Sequence, residues 1–104
     1  MLPKKNRLPA FVFRRIYQKG NTQKGEFVVL KSIPNKKSFS RFGFVVSAKV
    51  VKKATKRNLL RRRASEIIKS HLGKVKTGFD FAFIFKKNIE FKDQEQEFKK
   101  LLDV

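Results

Sequence analysis

The chain has 104 residues, with 27 Lys and Arg against 8 Asp and Glu, a formal net charge of +19. That length suits one domain, residues 1–104, around one modest core. So large a charge opposes compaction and points to a polyanionic partner, nucleic acid before an anionic membrane surface. With no cysteine and a single histidine, His71, disulfides, cysteine zinc sites and multi-histidine sites are excluded.

In chain order, Leu8-Pro9 predicts a helix start. Val12, Phe13, Ile16 and Tyr17 then share one helical face, opposite Arg14, Arg15, Gln18 and Lys19, until Gly20 ends the helix. Residues 20–25 predict a turn. Glu26 to Lys31, β-branched and aromatic, predicts a strand, followed by a loop from Ile33 to Ser40 around Pro34. Arg41 to Ala48 predicts a second strand, with Phe42, Phe44 and Val46 on one face and Gly43, Val45 and Ser47 on the other.

A helix capped by Thr55 and stopped by Gly73 comes next. Leu60, Ala64, Ile67, Ile68 and His71 form its apolar stripe, with Asn58, Arg61, Arg62, Ser65 and Lys69 opposite. Phe79 to Phe85 predicts a third strand with four Phe on one face. A last helix opens at Lys92 or Asp93, with Phe98, Leu101 and Leu102 as its apolar side. The order α-β-β-α-β-α, with room for one short extra strand, is an α+β fold: helices packed on a small sheet. Its β-α-β unit would by default cross over right-handedly. No stretch is long and apolar enough for a bilayer, and the N-terminus lacks the apolar core of a signal peptide, so a cytoplasmic location is expected.

The segment Lys49 to Arg63 is the strongest functional signal. Eight of its fifteen residues are Lys or Arg, none is acidic, and it opens the central helix. Cations at a helix N-terminus oppose the macrodipole by ~0.3–1 kcal/mol each when exposed. A bound phosphate would reverse that sign, because free N–H groups at a helix start attract anions. A solvated face would mix its charges; this one has no acid until Glu66. Five of the eight acids fall between Glu90 and Asp103, so the C-terminal segment should face away from the polyanion.

Phe13 and Tyr17, one turn apart beside Arg14, fit either core packing or a stacking platform for a single strand. The Phe row at 79, 81, 83 and 85 is core, since exposed it would be too large an apolar patch. His71 is a packed or capping residue. No nucleophile–histidine pair, carboxylate pair or phosphate loop is present, so the residues describe a binding protein.

Val46-Ser-Ala-Lys49 followed by Ala54-Thr-Lys-Arg-Asn-Leu-Leu-Arg-Arg-Arg63 resembles the signature of the bacterial ribonuclease P protein subunit. Phe13-x-x-Ile-Tyr17-x-x-Gly20 and Lys5-Asn-Arg-Leu8 are similar to its N-terminal pattern. The resemblance implies an α-β-β-(β)-α-β-α order with a left-handed β-α-β crossover. It implies that the protein binds a catalytic RNA and the 5′ leader of precursor tRNA, while the chemistry of leader removal belongs to the RNA. No cofactor is then expected on the protein alone, and Mg²⁺ would be held mainly by RNA. The implied RNA-contacting residues are Lys49, Lys52, Lys53, Lys56, Arg57, Asn58, Arg61 and Arg62, and Arg63 is expected to join them. The implied leader cleft is Phe13, Tyr17, Phe27 and Phe44, with Arg14 alongside.

Three positions depart from the family pattern. Leu59 stands where the family has Arg, and Ser65 where it has a later Arg. Arg63 stands where it is usually apolar. A swap in which Arg63 supplies the charge missing at Leu59 is one explanation. Leu30 stands where some members carry a cleft-side tyrosine. The competing reading is a small structural protein of ribosomal RNA, which would bury both Phe13 and Tyr17. A DNA-reading helix fits less well, because nothing suggests paired half-sites.

Overall fold

The computed structural model describes residues 1–104. Pro3 and Pro9, with their fixed φ, each precede a 3-10 turn, Lys4–Asn6 and Ala10–Val12. The second runs directly into helix α1, Phe13–Lys19, which Gly20 closes through its N–H to the Ile16 carbonyl at 2.8 Å.

Asn21–Lys24, expected as a turn, is a strand, β1. It pairs antiparallel with strand β2, Val28–Pro34. All four residues of β1 are exposed, so the segment has no apolar alternation by which a sequence would reveal it. Strand β2 starts two residues later than expected and runs on through Ile33 and Pro34, which pair with Asp80 and Phe79. Partner strands, not local propensity, set that extent. Strand β3 is Arg41–Val45 and strand β4 is Phe79–Phe85. The sheet order is β1-β2-β4-β3, with β3 and β4 parallel and the other pairs antiparallel.

Helix α2, Ala54–Ser70, connects the parallel pair. Its N-cap is Lys53, not Thr55, and no side chain caps it. A 3-10 turn at Leu72–Lys74 follows it. Helix α3, Phe91–Leu102, follows β4. This is the expected α+β architecture, with four strands in a mixed sheet.

The two sheet faces differ by residue size. One presents Phe81, Phe83, Phe85, Phe42 and Leu30 to α2 and α3, all buried with Leu60, Ile68 and Phe98 in the main core. The Phe row is therefore core, and its rings stack, Phe83 on Phe98 at 4.3 Å. Leu30 is sealed in this core, on the face that α1 does not cover, so it is not a cleft residue. The other face is small only where α1 crosses it, at Gly43 and Ala82. There Ala82 meets Val12 of the 3-10 turn and Ile16 of α1, with Leu8, Phe13 and Ile33 around them. Helix α3 is held by polar contacts as well as by Phe98. Gln94 donates to the Leu60 carbonyl at 3.1 Å, and the Glu97 carboxylate accepts from the backbone N–H groups of Glu26 and Phe27 at 2.7 and 3.0 Å.

Candidate RNA interface

The link from β3 to α2 is fixed at three points. Val50 and Val51 N–H groups donate to the Ser47 carbonyl, and the Val51 side chain is buried in the main core. From the helix, Arg57 Nη1 donates to the carbonyls of Val51 and Lys52 at 2.9 and 2.8 Å. Arg57 thus holds the link, while Lys49, Lys52 and Lys53 project from it into solvent. The first turn of α2 contains no acid and no side-chain cap, so its free N–H groups and the flanking lysines together suit a phosphate.

Along α2, the stripe Leu60, Ala64, Ile67 and Ile68 is buried as expected. His71 sits at its end, with Nδ1 at 2.9 Å from both the Ile67 carbonyl and Ser70 Oγ. It caps the helix. Asn58 and Arg62 are exposed on the outer face, and Asn58 Oδ1 accepts from Arg61. Lys56 and Arg63 are half-buried and turn toward α3. The Arg63 guanidinium lies 5.1 Å above the Phe91 ring, so its charge is held at the start of α3, one turn from Leu59.

The α1 side forms a second surface. An added Cβ at Gly43 would run into the Phe13 ring and sit 3.1 Å from Leu8 Cβ. Glycine there is what lets α1 approach β3 so closely. Phe13 is consequently half-buried, whereas Tyr17 is 44% exposed, and Arg14 points outward beside them. Partial burial pushes the Tyr17 hydroxyl above its ordinary pKa, because desolvation disfavours the charged form. Next to the rows that α1 covers, Val29, Ile84 and Val45 pair across three strands and remain half-exposed.

Phe44 and Phe27 do not join Phe13 and Tyr17 on this face. Phe44 lies on the core face, its ring stacked 5.6 Å from Phe83 and 6.3 Å from Phe98. Only its edge reaches a hollow at the β3 margin. That hollow is lined by Leu8, Phe13, Phe42 and Phe44, with Arg61 and Ser65 of α2 closing it. Phe27 precedes β2, so strand alternation does not govern it. With Glu97 gripping its N–H, its ring packs against the main core at the α3 side.

A family model for ribonuclease P matches residues 2–104. The ribonuclease P protein component of Clostridioides difficile is 35% identical over 94 residues, covering 86% of this chain and 82% of that protein. That of Desulforamulus reducens is 38% identical over 84 residues, covering 81% and 74%. The solved ribonuclease P protein of Thermotoga maritima superposes with a TM-score of 0.84 at 31% identity, covering 92% of this chain and 94% of that one.

The chain belongs to the ribonuclease P protein family.

It is the protein component of ribonuclease P, the tRNA-processing ribonuclease, and its partner is that enzyme's RNA. Several surface residues stand out in the structure that the sequence did not single out. Phe11, on the 3-10 turn ahead of α1, is 83% exposed, more than any other large apolar side chain of the protein. Lys31 stands on the α1 face in register with Ala82, its ammonium 3.0 Å from Thr22 Oγ1. Val29, Val45 and Ile84 could have been found from strand alternation alone. Phe11 could not, because no periodicity applies in a 3-10 turn.

Proposed function

We propose that the two surfaces have separate RNA tasks. The α2 ridge, comprising Lys49, Lys52, Lys53, Lys56, Asn58, Arg61 and Arg62, binds the backbone of ribonuclease P RNA, with Arg57 holding its first turn in place. The α1 edge, Phe13 and Tyr17 with Arg14, binds the 5′ leader of precursor tRNA by stacking and charge. The observation that carries this reading is the hollow at the β3 margin, where Phe13 and Arg61 line one depression. A strand leaving the ridge therefore passes directly onto the aromatic edge. The exposure of Tyr17 favours this over a purely structural role in ribosomal RNA, which would bury both Phe13 and Tyr17.

Leader removal itself requires an activated water, and the ridge has no general base to provide one. Mg²⁺ prefers carboxylate and phosphate oxygens. The ridge offers ammonium and guanidinium groups, and its one carboxylate, Glu66, lies 2.6 Å from the Met1 amine. These residues do not fit the ion, so it belongs with the RNA. The protein's part is to neutralise and align phosphates, in the cytoplasm where precursor tRNA is processed.

The test is reconstitution with a bacterial ribonuclease P RNA at low Mg²⁺, following precursor-tRNA cleavage. Stimulation over RNA alone is expected, and its absence overturns the reading. In a Phe13→Ala/Tyr17→Ala variant, loss of stacking worth about 1–3 kcal/mol per base should weaken precursor binding and leave mature-tRNA binding nearly intact.

A further inference from the structure

A second basic surface lies at the opposite end of the sheet from the start of α2. Three chain segments meet there: the Lys4–Asn6 turn, the β2–β3 loop of residues 35–40, and the connection of residues 74–79 into β4. Polar side chains bind them together. Asn6 Nδ2 donates to the Ser40 carbonyl at 2.8 Å. Ser40 Oγ donates to the Lys76 carbonyl at 2.7 Å and accepts from the Phe79 N–H at 3.1 Å. Asn35 Nδ2 donates to the Phe39 carbonyl and to Asp80, and its Oδ1 accepts from the Lys37 N–H. The Asn35 N–H donates to the Gly78 carbonyl at 2.9 Å, and Gly78 itself has φ +84°, where any other residue is strained. The backbone of all three segments is therefore set.

Each segment presents two exposed lysines, Lys4 and Lys5, Lys36 and Lys37, Lys74 and Lys76. The Lys5 and Lys37 ammonium groups, from different segments, lie 5.5 and 5.9 Å from the Phe39 ring centre. Lys76 lies 5.4 Å from that of Phe79. Carboxylates offset them little, Asp80 feeling only the charge of Lys37 among the six. Asp80 is 3% exposed and is taken by Arg41, whose Nε and Nη2 each donate at 2.8 Å. Asp103 is on the rim of the hollow beside Lys74 and Lys76 but forms no ion pair with either. Six like charges on a fixed frame repel one another in the free protein. The arrangement suits a ligand with spaced negative charges. Because ammonium groups cover the two rings, that ligand is read by its backbone and not by its bases.

We propose that this lysine platform is a second contact for RNA phosphates, engaged by folded ribonuclease P RNA. Helix α2 has 17 residues, about 25 Å at 1.5 Å per residue. Its start carries the ridge and its far end leads into Lys74. A ligand rigid over that length spans both without the ordering cost a flexible strand would incur, which favours a folded RNA over a short leader strand. The proposal rests on the RNA-binding reading above.

The test uses the full chain with Lys4, Lys5, Lys36 and Lys37 all changed to Gln, beside an Arg61→Gln/Arg62→Gln variant. Affinity for ribonuclease P RNA is measured across a salt series, and affinity for precursor tRNA alone in parallel. The lysine variant should bind ribonuclease P RNA about ten- to a hundredfold more weakly near physiological salt, and its log–log salt slope should fall by roughly 3. If only the arginine variant weakens binding, the platform is refuted and the ridge stands. If neither does, both fail. A loss confined to precursor tRNA also overturns the assignment, since the contact is then with substrate. Should the fourfold variant not fold, Lys74→Gln/Lys76→Gln tests the same surface, with an expected slope decrease of about 1 to 2.

Discussion

Arg57 and Asp80 are ionised residues whose work is local order. Arg57 ties two carbonyls of the basic link, at 2.9 and 2.8 Å. Truncating it to Ala should destabilise the protein by about 1–2 kcal/mol in urea titration, given the strength of charge-assisted bonds at a part-exposed site. RNA affinity should fall beyond the loss of one charge, and Arg57→Lys should not restore it, because an ammonium cannot reproduce the forked geometry. At Asp80, burial pushes the carboxyl pKa up, but hydrogen bonds from Arg41 and Asn35 and the charges of Arg41 and Lys37 outweigh it and leave it lowered. A lowered folded value means stability that is present above the unfolded pKa of about 3.9 and is lost as pH falls through the folded one. Thermal melts should therefore show a loss below about pH 4 that Asp80→Asn diminishes. That variant should also cost about 3 kcal/mol at neutral pH by leaving Arg41 without its partner. Neither role could be read from the sequence, where Arg57 is one more charge in a run and Asp80 one more polar position in a strand.

Among the elements, β3 and α3 determine whether the interface is assembled. Gly43→Val would push Phe13 away from β3, since even a Cβ collides with that ring. A stability loss of about 1–3 kcal/mol is expected from overpacking, together with weaker precursor binding and a smaller loss of affinity for ribonuclease P RNA, because only Arg61 of the α2 ridge shares the hollow with Phe13 and Gly43. Gel-shift titration of the two RNAs separates these outcomes. Glu97→Ala removes the acceptor for the Glu26 and Phe27 N–H groups and should cost about 1–3 kcal/mol. Most elements were legible because their apolar period matches their geometry. The alternation of Phe42, Phe44 and Val46 and the spacing of Leu60, Ala64, Ile67 and Ile68 both mark faces that are buried. Strand β1 was not legible, because all four of its side chains are exposed and only backbone pairing makes it a strand. Phe27 and Phe44 were assigned to the cleft by likeness. The pleat turns the Phe44 ring against the core, though it still borders the hollow with Phe13, and Phe27 lies before the strand that would have aimed it.

For the molecule as a whole, the charge of +19 places stability and binding in opposition to salt. In the free protein, added NaCl screens repulsion and should raise the melting temperature. In the complex, the same salt should weaken RNA binding steeply. Calorimetry of the free protein and filter binding of the complex over one salt series should move in opposite directions; parallel movement would show that the charges repel little in the free fold. What the sequence determined by itself was the class of partner, the position of the basic helix start and the content of the core, because charge and apolar period are local properties of the chain. Tertiary structure alone decided how the Lys49–Arg63 run is used. Core packing of Val51 lets Arg57 reach back to the link, so one cation becomes scaffold. The ring of Phe91 draws Arg63 toward α3. Closure of the sheet edge sets Arg61 beside Phe13. The last two join residues far apart in the chain, and the first depends on Val51 being packed in a core built from distant residues, so no local pattern encodes them.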